Sequence, residues 1–144
     1  MSTTAKCFTL ILALLAAVTA HSDTTWLADA DAQAIRSVIE AQLDAFSADD
    51  AEKAFSFASA DIRDTFGTAE VFMAMVKLSY PVVYRPASVL FLEPERIDEE
   101  VIQPVQMSDA DGALWLAMYR MQRQPDSSWR IGGCVLTSLA GSST

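Results

Sequence analysis

The sequence predicts an α+β domain in which N-terminal helices pack on one face of a curved, four-stranded antiparallel sheet. Two observations support this fold class. In the first half of the chain, apolar residues recur at every third or fourth position, which is the period of a helix. In the second half, segments rich in β-branched and aromatic residues alternate in polarity and are separated by turn-forming residues.

The first 20 residues have the pattern of a secretory signal peptide. Lys6 precedes an uninterrupted apolar run at residues 10–18, and the small residues Thr19 and Ala20 follow. The run is much shorter than the roughly 20 residues that a membrane span requires. We therefore expect cleavage near Ala20, with Ser22 as the second choice, and an exported domain that is periplasmic or secreted and does not remain in the membrane.

Beyond this signal, we expect a tether at residues 21–32, a single domain at 33–139 and a flexible tail at 140–144. The first helix is the most clearly marked element. Asp29 or Asp31 can cap its start, and one of its faces carries the apolar residues Ile35, Val38, Ile39, Leu43 and Phe46.

Shorter helices are predicted at residues 51–59, 62–66 and 69–80. Asp49 or Asp50 opens the first of them, and Gly67 ends the second in a left-handed conformation. Thr68 caps the third, which Pro81 ends.

Four strands are predicted at residues 82–93, 99–107, 113–124 and 128–139. The turns between them place an acidic cluster, EPERIDEE, at the tip of a hairpin, where we expect its side chains to be solvated rather than to bind a cation. Pro86 and Pro104 lack a backbone donor, so each should lie at an edge, a bulge or a strand start.

The net charge of the protein limits its partners. The chain carries a formal charge of −9, and removal of residues 1–20 takes away Lys6 and no acid, so the charge becomes −10. Phosphate backbones and anionic lipid head groups would repel such a chain. The sequence therefore predicts neither a nucleic-acid partner nor a membrane-surface role.

Few residues are suited to catalysis. Cys7 leaves with the signal peptide, so Cys134 is the one thiol of the exported chain, and the only histidine, His21, lies at the cleavage point. A Cys-His or Ser-His-Asp arrangement therefore has no base inside the domain. We predict no catalytic residue, no metal site and no cofactor, and we interpret Cys134 as an apolar side chain that fills the closing strand, where the preceding glycine pair can introduce a bulge.

Three segments carry a resemblance to a known family. The runs AIRSVIEAQLDAFSADDAEKAFSFAS, FGTAEVFMAMVKLSYPVVYRP and WRIGGCVL resemble a bacterial family, the domain of unknown function four-eight-six-four, over about residues 33–137. The order of elements is similar to the nuclear-transport-factor-two-like, or cystatin-like cone, fold. That resemblance implies a sheet curved around a pocket, and the fold hosts both enzymes and binding modules.

Five residues form the candidate ligand site. Tyr80, Tyr84 and Arg85 cluster where the last helix meets the first strand, and Trp115 and Tyr119 lie on the third strand. Tyrosine hydroxyls and an arginine fork can hold an anion at the rim of an apolar pocket. In the competing interpretation, Arg85 pairs with an acid such as Asp61 or Asp64.

The function predicted from these features is a non-catalytic exported module that binds a small apolar or weakly anionic ligand, or a protein partner, in the cone. One alternative is an isomerase, dehydratase or hydrolase that uses a buried carboxylate and a tyrosine. The other is a structural subunit. Because the third strand is apolar on both faces and the helices can cover one of them, the sequence also predicts a homodimer through the outer face of the sheet.

Overall fold

The α+β class is confirmed by a computed structural model that describes residues 26–140, in which five helices precede five strands. The predicted signal peptide, the first residues of the predicted tether and residues 141–144 of the predicted tail lie outside the described range. Within that range, no helix combines the length and the hydropathy that crossing a membrane requires.

The helices follow one another with short connections. They are α1 (Asp29–Ser47), α2 (Ala51–Ser56), α3 (Ala60–Phe66), α4 (Ala69–Ser79) and α5 (Pro81–Tyr84). The strands are β1 (Ser88–Phe91), β2 (Glu95–Ile97), β3 (Glu100–Ser108), β4 (Leu114–Arg123) and β5 (Trp129–Ser138).

Helix α1 covers the sheet with the face that its sequence predicts. Ile35, Ile39, Leu43 and Phe46 are all buried, at the spacing of three and four residues that keeps them on one side of the helix. Burial of each such side chain stabilises the fold by about 1.5–3 kcal/mol. No side chain caps the helix start at Ala28; the acids at the start lie in the first turn, where they complement the helix dipole.

Side-chain caps define the starts of the three helices that follow. Asp50 accepts from the backbone N–H of α2, Ser59 from that of α3 and Thr68 from that of α4. Gly67, at φ 76°, ends α3 in the left-handed region, as predicted. The sequence predicted this helix only from residue 62, so the prediction missed the Ser59 cap.

Residues 82–84 are helical, whereas the sequence predicted the first strand from residue 82. Pro81 occupies the first turn of α5, where its fixed φ favours a helix, and Val82 and Val83 are buried there. Tertiary packing thus overrides the strand preference of the two valines. The first strand begins only at Ser88.

The sheet is an antiparallel meander with the order β1-β3-β4-β5. The short strand β2 also pairs with β3, so β1 and β2 together form one interrupted edge. The turn from β2 to β3 contains Asp98, at φ 55°, and belongs to the predicted acidic hairpin tip. The sequence thus predicted the hairpin, but not the three-residue strand that precedes its turn.

The interruption of the edge lies opposite Pro104. Leu92 donates its backbone N–H to the Pro104 carbonyl at 3.0 Å, and residues 93 and 94 then leave the ladder. The missing N–H of Pro104 consequently faces the gap between β1 and β2. The buried Gln103 side chain closes this gap, because its Nε2 donates to the Leu92 carbonyl at 2.7 Å.

One extra residue in β5 reverses which side chains face the helices. Arg120 of β4 pairs with Gly133, whereas Met121 pairs with Ile131, so Gly132 is the bulged residue. Before the bulge Trp129 and Ile131 point to the helices, and after it Cys134 does. Strict alternation would instead have placed Cys134 on the outer face.

A side chain at Gly132 would displace the side chain of Gln122. A Cβ at Gly132 would lie 2.7 Å from Cδ and 2.8 Å from Nε2 of Gln122, and that Nε2 donates to Glu100 at 3.0 Å. At Gly133, the nearest atom is Nε of Arg120 at 3.7 Å, an ordinary contact.

We therefore expect Gly132→Ala to be less stable than Gly133→Ala by about 1 kcal/mol, the usual net contribution of one hydrogen bond. Both substitutions restrict the unfolded chain equally, so the comparison isolates the displacement of Gln122. Urea unfolding of the two variants measures the difference. Equal free energies of unfolding would contradict the close packing at Gly132.

Candidate functional site

A cavity of about 290 Å³ lies between the helices and the inner face of the sheet. Its walls come from α1, α3, α4 and α5 on one side and from β4 and β5 on the other. The apolar part of the wall includes Phe46, Ile62, Phe66, Phe72, Met75 and Ile131.

Phe72 joins three helices at the back of this cavity. Its ring centroid lies 6.0 Å from that of Phe46 on α1, 5.3 Å from that of Phe55 on α2 and 5.7 Å from that of Phe66 on α3. Tilted and edge-on contacts at these distances are favourable for aromatic rings. The aromatic cluster therefore holds the helical wall together without filling the space in front of the sheet.

Four residues of the cavity wall carry polar side chains, and two of these side chains make hydrogen bonds to the backbone. Gln42 donates its Nε2 to the Ala54 carbonyl at 3.0 Å, which ties α1 to α2. Tyr80 donates its hydroxyl to the Cys134 carbonyl at 3.2 Å, which ties the end of α4 to β5. Both residues thus have a structural role in addition to lining the cavity.

Tyr119 is the third polar residue of the wall. It is 1% exposed, and its hydroxyl has no hydrogen-bond partner among the described residues. Burial raises the pKa of this phenol well above its ordinary value, and the neighbouring Cys134 adds to the shift. The hydroxyl is therefore neutral at physiological pH and retains its proton for donation.

Cys134 is the fourth polar residue, and it lies directly opposite Tyr119 in the β4–β5 ladder. Burial raises the pKa of its thiol to about 12. Since the thiolate is the nucleophilic form, this environment suppresses reactivity. Cys134 therefore serves as a small, weakly polar wall residue.

None of the described residues that line the cavity has a charged side chain. Among residues 26–140, no aspartate or glutamate is buried, and over the same range no three His, Cys, Asp or Glu residues gather as metal ligands would. A buried carboxylate beside a tyrosine, which the enzyme alternative requires, is thus not found in the described part of the chain.

The five candidate residues occupy three places. Tyr80 and Tyr119 both line the cavity. Tyr84 and Arg85 lie together outside it, and Trp115 lies in a groove of about 560 Å³ that Arg85 also borders. In that groove, Trp115 donates Nε1 to Asp109 at 3.2 Å, and this bond is the main cause of the lowered pKa of the Asp109 carboxyl.

Asp49 explains why Tyr84 and Arg85 are outside the cavity. Its carboxylate accepts from the Tyr84 hydroxyl, from Arg85 at 3.0 Å and from Lys77, whose Nζ lies 3.2 Å away. The Tyr84 hydrogen bond, followed by that of Lys77, lowers the pKa of the Asp49 carboxyl. The partner of Arg85 is thus Asp49, and neither Asp61 nor Asp64.

Two further arginines, Arg120 and Arg130, also lie away from the cavity. Arg120 is on the outer face of the sheet, where its Nε lies 3.7 Å from Glu100 and its guanidinium donates to the Gly132 carbonyl at 2.6 Å. Arg130 donates to the Ser56 carbonyl.

Sequence reasoning missed Gln42 as a wall residue. It lies between Ile39 and Phe46 at spacings of three and four, so it belongs to the buried stripe of α1. A polar residue within the buried stripe of α1 could have indicated this role, because a buried polar side chain needs a hydrogen-bond partner.

The suppressed reactivity of Cys134 can be measured in a Cys7→Ser variant, which keeps Cys134 as its single cysteine. A rise of the thiol pKa from 9.0 to about 12 lowers the thiolate fraction near pH 8 roughly a thousandfold. Because a thiolate of higher pKa is intrinsically more nucleophilic, with a Brønsted coefficient of about 0.4–0.5, we expect the folded variant to react with an aromatic disulfide reagent at least about thirtyfold more slowly than the same variant unfolded in urea. A folded-state rate equal to the unfolded rate or faster would show that the fold does not suppress the reactivity of the thiol.

Comparison with known proteins identifies the family. Searches of the curated proteins and of the solved structures found no significant match. A family model described as Domain of unknown function (DUF4864) matches residues 28–144, which include all five helices and all five strands. The chain belongs to this family.

Proposed function

We propose that the protein is an exported module that binds a small, mainly apolar molecule in the cavity between its helices and its sheet. The observation that carries this proposal is the cavity of about 290 Å³ whose wall includes Tyr119, a residue with a buried hydroxyl that has no partner among residues 26–140. A buried hydroxyl without a partner is uncommon in folded proteins and is often explained by a functional group that pairs with it.

The size of the cavity indicates the size of the ligand. An apolar cavity of about 150 Å³ holds a benzene molecule, so a cavity of about 290 Å³ has room for a molecule roughly twice that size. Transfer of such a molecule from water to an apolar wall is favourable by about 25 cal/mol per Å² of buried surface. A bicyclic aromatic compound is therefore a suitable probe.

The export that the sequence predicts supports the same proposal. The apolar run at residues 10–18 with its preceding lysine is the expected signal, and its cleavage would release the acidic domain into the periplasm or the medium. The order of helices and meander is consistent with a cone-fold relationship, in which the concave side of the sheet forms the pocket. The enzyme alternative requires a buried carboxylate, and none is found among residues 26–140.

Ile62 provides a test of binding in the cavity. It is a half-buried residue of α3 that lines the cavity, and its neighbour Arg63 is exposed and does not line it. We expect bicyclic probes such as 2-acetylnaphthalene to raise the melting temperature of the wild-type protein. A free probe concentration of a hundred times Kd adds about 2.7 kcal/mol to the free energy of unfolding.

In the Ile62→Trp variant, the indole occupies the cavity, so the probe-induced shift should disappear. In the matched Arg63→Trp variant, the shift should persist. If uncharged and anionic bicyclic probes all fail to stabilise the wild-type protein, binding in this cavity is disproved.

A second function, self-association through the outer face of the sheet, is favoured by an independent observation. No described helix covers this face, and its apolar side chains are well exposed: Leu90 at 55%, Ile97 at 50%, Leu114 at 42% and Val135 at 65%. Apolar surface shared by several neighbouring strands is typical of a protein interface.

Charge also favours contact through this face. The protein carries a net charge of −9, so two copies repel each other over most of their surface. On the outer face, however, Glu100 lies beside Arg120, 3.7 Å away, and also accepts from Gln122 at 3.0 Å. This pairing leaves the region close to neutral, and we infer that a second copy of the chain is its partner.

The proposed dimer can be tested with two glutamate substitutions at exposed apolar positions. Val135→Glu adds a charge to the outer face, whereas Leu78→Glu adds one to α4, where Leu78 is 85% exposed. We expect light scattering at concentrations well above micromolar to show a dimer for the wild-type protein and for Leu78→Glu, and a monomer for Val135→Glu. A monomeric wild-type protein would refute self-association.

A further inference from the structure

Two residues of the cavity wall, Tyr119 and Cys134, can donate a hydrogen bond to a bound molecule. Tyr119 and Cys134 are opposite each other in the β4–β5 ladder, and both lie in the cavity wall. Side chains of directly opposed residues have Cβ atoms about 4.5–5.5 Å apart, so the phenol and the thiol are neighbours. A phenol donates strongly and a protonated thiol donates weakly. Together the phenol and the thiol can bind one acceptor atom, each by donating to one of its two lone pairs.

Tyr119 is the stronger of the two donors, and its hydroxyl has no partner among the described residues. The Gln42 amide and the Tyr80 hydroxyl donate to backbone carbonyls, and neither of their oxygens accepts from Tyr119. Burial without a hydrogen bond costs free energy that a ligand acceptor would recover.

The ligand oxygen must reach Tyr119 from the cavity. The hydroxyl has essentially no solvent-accessible surface, so a wall side chain has to move as the ligand enters. The wall contains Met75, whose unbranched thioether chain repacks at little cost.

The cavity does not provide for negative charge. Within residues 26–140, no lysine or arginine lines it. Lys77 and Arg85 are held by Asp49 outside the cavity, and Arg120 is on the opposite face of the sheet. An ion that loses its water in an apolar site without a counter-charge is strongly disfavoured. The wall therefore discriminates against carboxylates.

We propose that the cavity selects uncharged molecules with one carbonyl oxygen, such as aryl ketones, aldehydes or esters, and that the Tyr119 hydroxyl donates to that oxygen. This inference rests on the proposed function of the cavity. It narrows the ligand from an apolar or weakly anionic molecule to a neutral acceptor. It also makes Tyr119 the residue that determines specificity.

Three probes of similar shape test this selectivity. The first is 2-acetylnaphthalene, which has a neutral carbonyl. The second is 2-isopropylnaphthalene, which has no acceptor, and the third is 2-naphthoate, which is an anion at pH 7. We expect the wild-type protein to bind the ketone roughly two- to tenfold more tightly than the hydrocarbon, as one neutral hydrogen bond allows. We expect the naphthoate to bind at least about a hundredfold more weakly than the ketone.

Tyr119→Phe is the decisive variant. It removes a buried hydroxyl that has no partner, so we expect the variant to fold and to be at least as stable as the wild-type protein. Its affinity for the ketone should fall to its affinity for the hydrocarbon, while its affinity for the hydrocarbon is unchanged or higher. The matched control is Tyr84→Phe, because the Tyr84 hydroxyl bonds to Asp49 outside the cavity. This variant should keep the full preference for the ketone.

The carbonyl stretching band of bound 2-acetylnaphthalene gives a second readout. A hydrogen bond from Tyr119 should move the band to lower wavenumber in the wild-type protein and in Tyr84→Phe, but not in Tyr119→Phe. A change in the shape of the cavity alone would not remove the shift of the carbonyl band in Tyr119→Phe.

The outcomes separate the two proposals. If none of the three probes binds, the proposed function itself fails. If the naphthoate binds as tightly as the ketone, or if Tyr119→Phe weakens the ketone and the hydrocarbon equally, binding in the cavity stands and the selectivity inferred here is overturned.

Discussion

The bulge at Gly132 is the constraint on which the cavity depends. Because one residue of β5 is left out of the ladder, Trp129 and Ile131 before it and Cys134 after it all face the helices. Without the bulge, either Trp129 and Ile131 or Cys134 would point to the outer face of the sheet. The same displacement brings the Cys134 carbonyl to Tyr80, so the end of α4 is attached to the strand that forms the cavity wall.

The distribution of polar groups follows from that geometry. The cationic groups that could have drawn an anion into the cavity are held elsewhere by acids: Lys77 and Arg85 by Asp49, and Arg120 by Glu100. The groups left in the wall are neutral, and burial keeps them neutral by raising the pKa of Tyr119 and of Cys134. A site of this kind is suited to recognition by shape and by a single hydrogen bond rather than by charge.

Local patterns predicted most elements, and the exceptions have physical causes. The apolar period of α1, the Thr68 cap and the Gly67 stop depend on neighbouring residues, so the sequence could indicate them. The helical turn at Pro81–Tyr84 depends on burial of Val82 and Val83 against distant elements, and a local pattern cannot register such burial. For the same reason, sequence proximity grouped Tyr80 with Tyr84, although the two side chains have partners on different sides of the fold.

By itself, the sequence determined the α+β class and the helical and strand halves of the chain, because these follow from periodicity. It also placed Tyr80 and Tyr119 among the candidate ligand-binding residues, because of their residue type. Only the tertiary structure decided that Tyr119 and Cys134 meet in one wall, that Gln42 joins them and that Arg85 turns away to Asp49. These relations depend on strand register and on contacts between residues far apart in the chain, in particular on the single unpaired residue in β5.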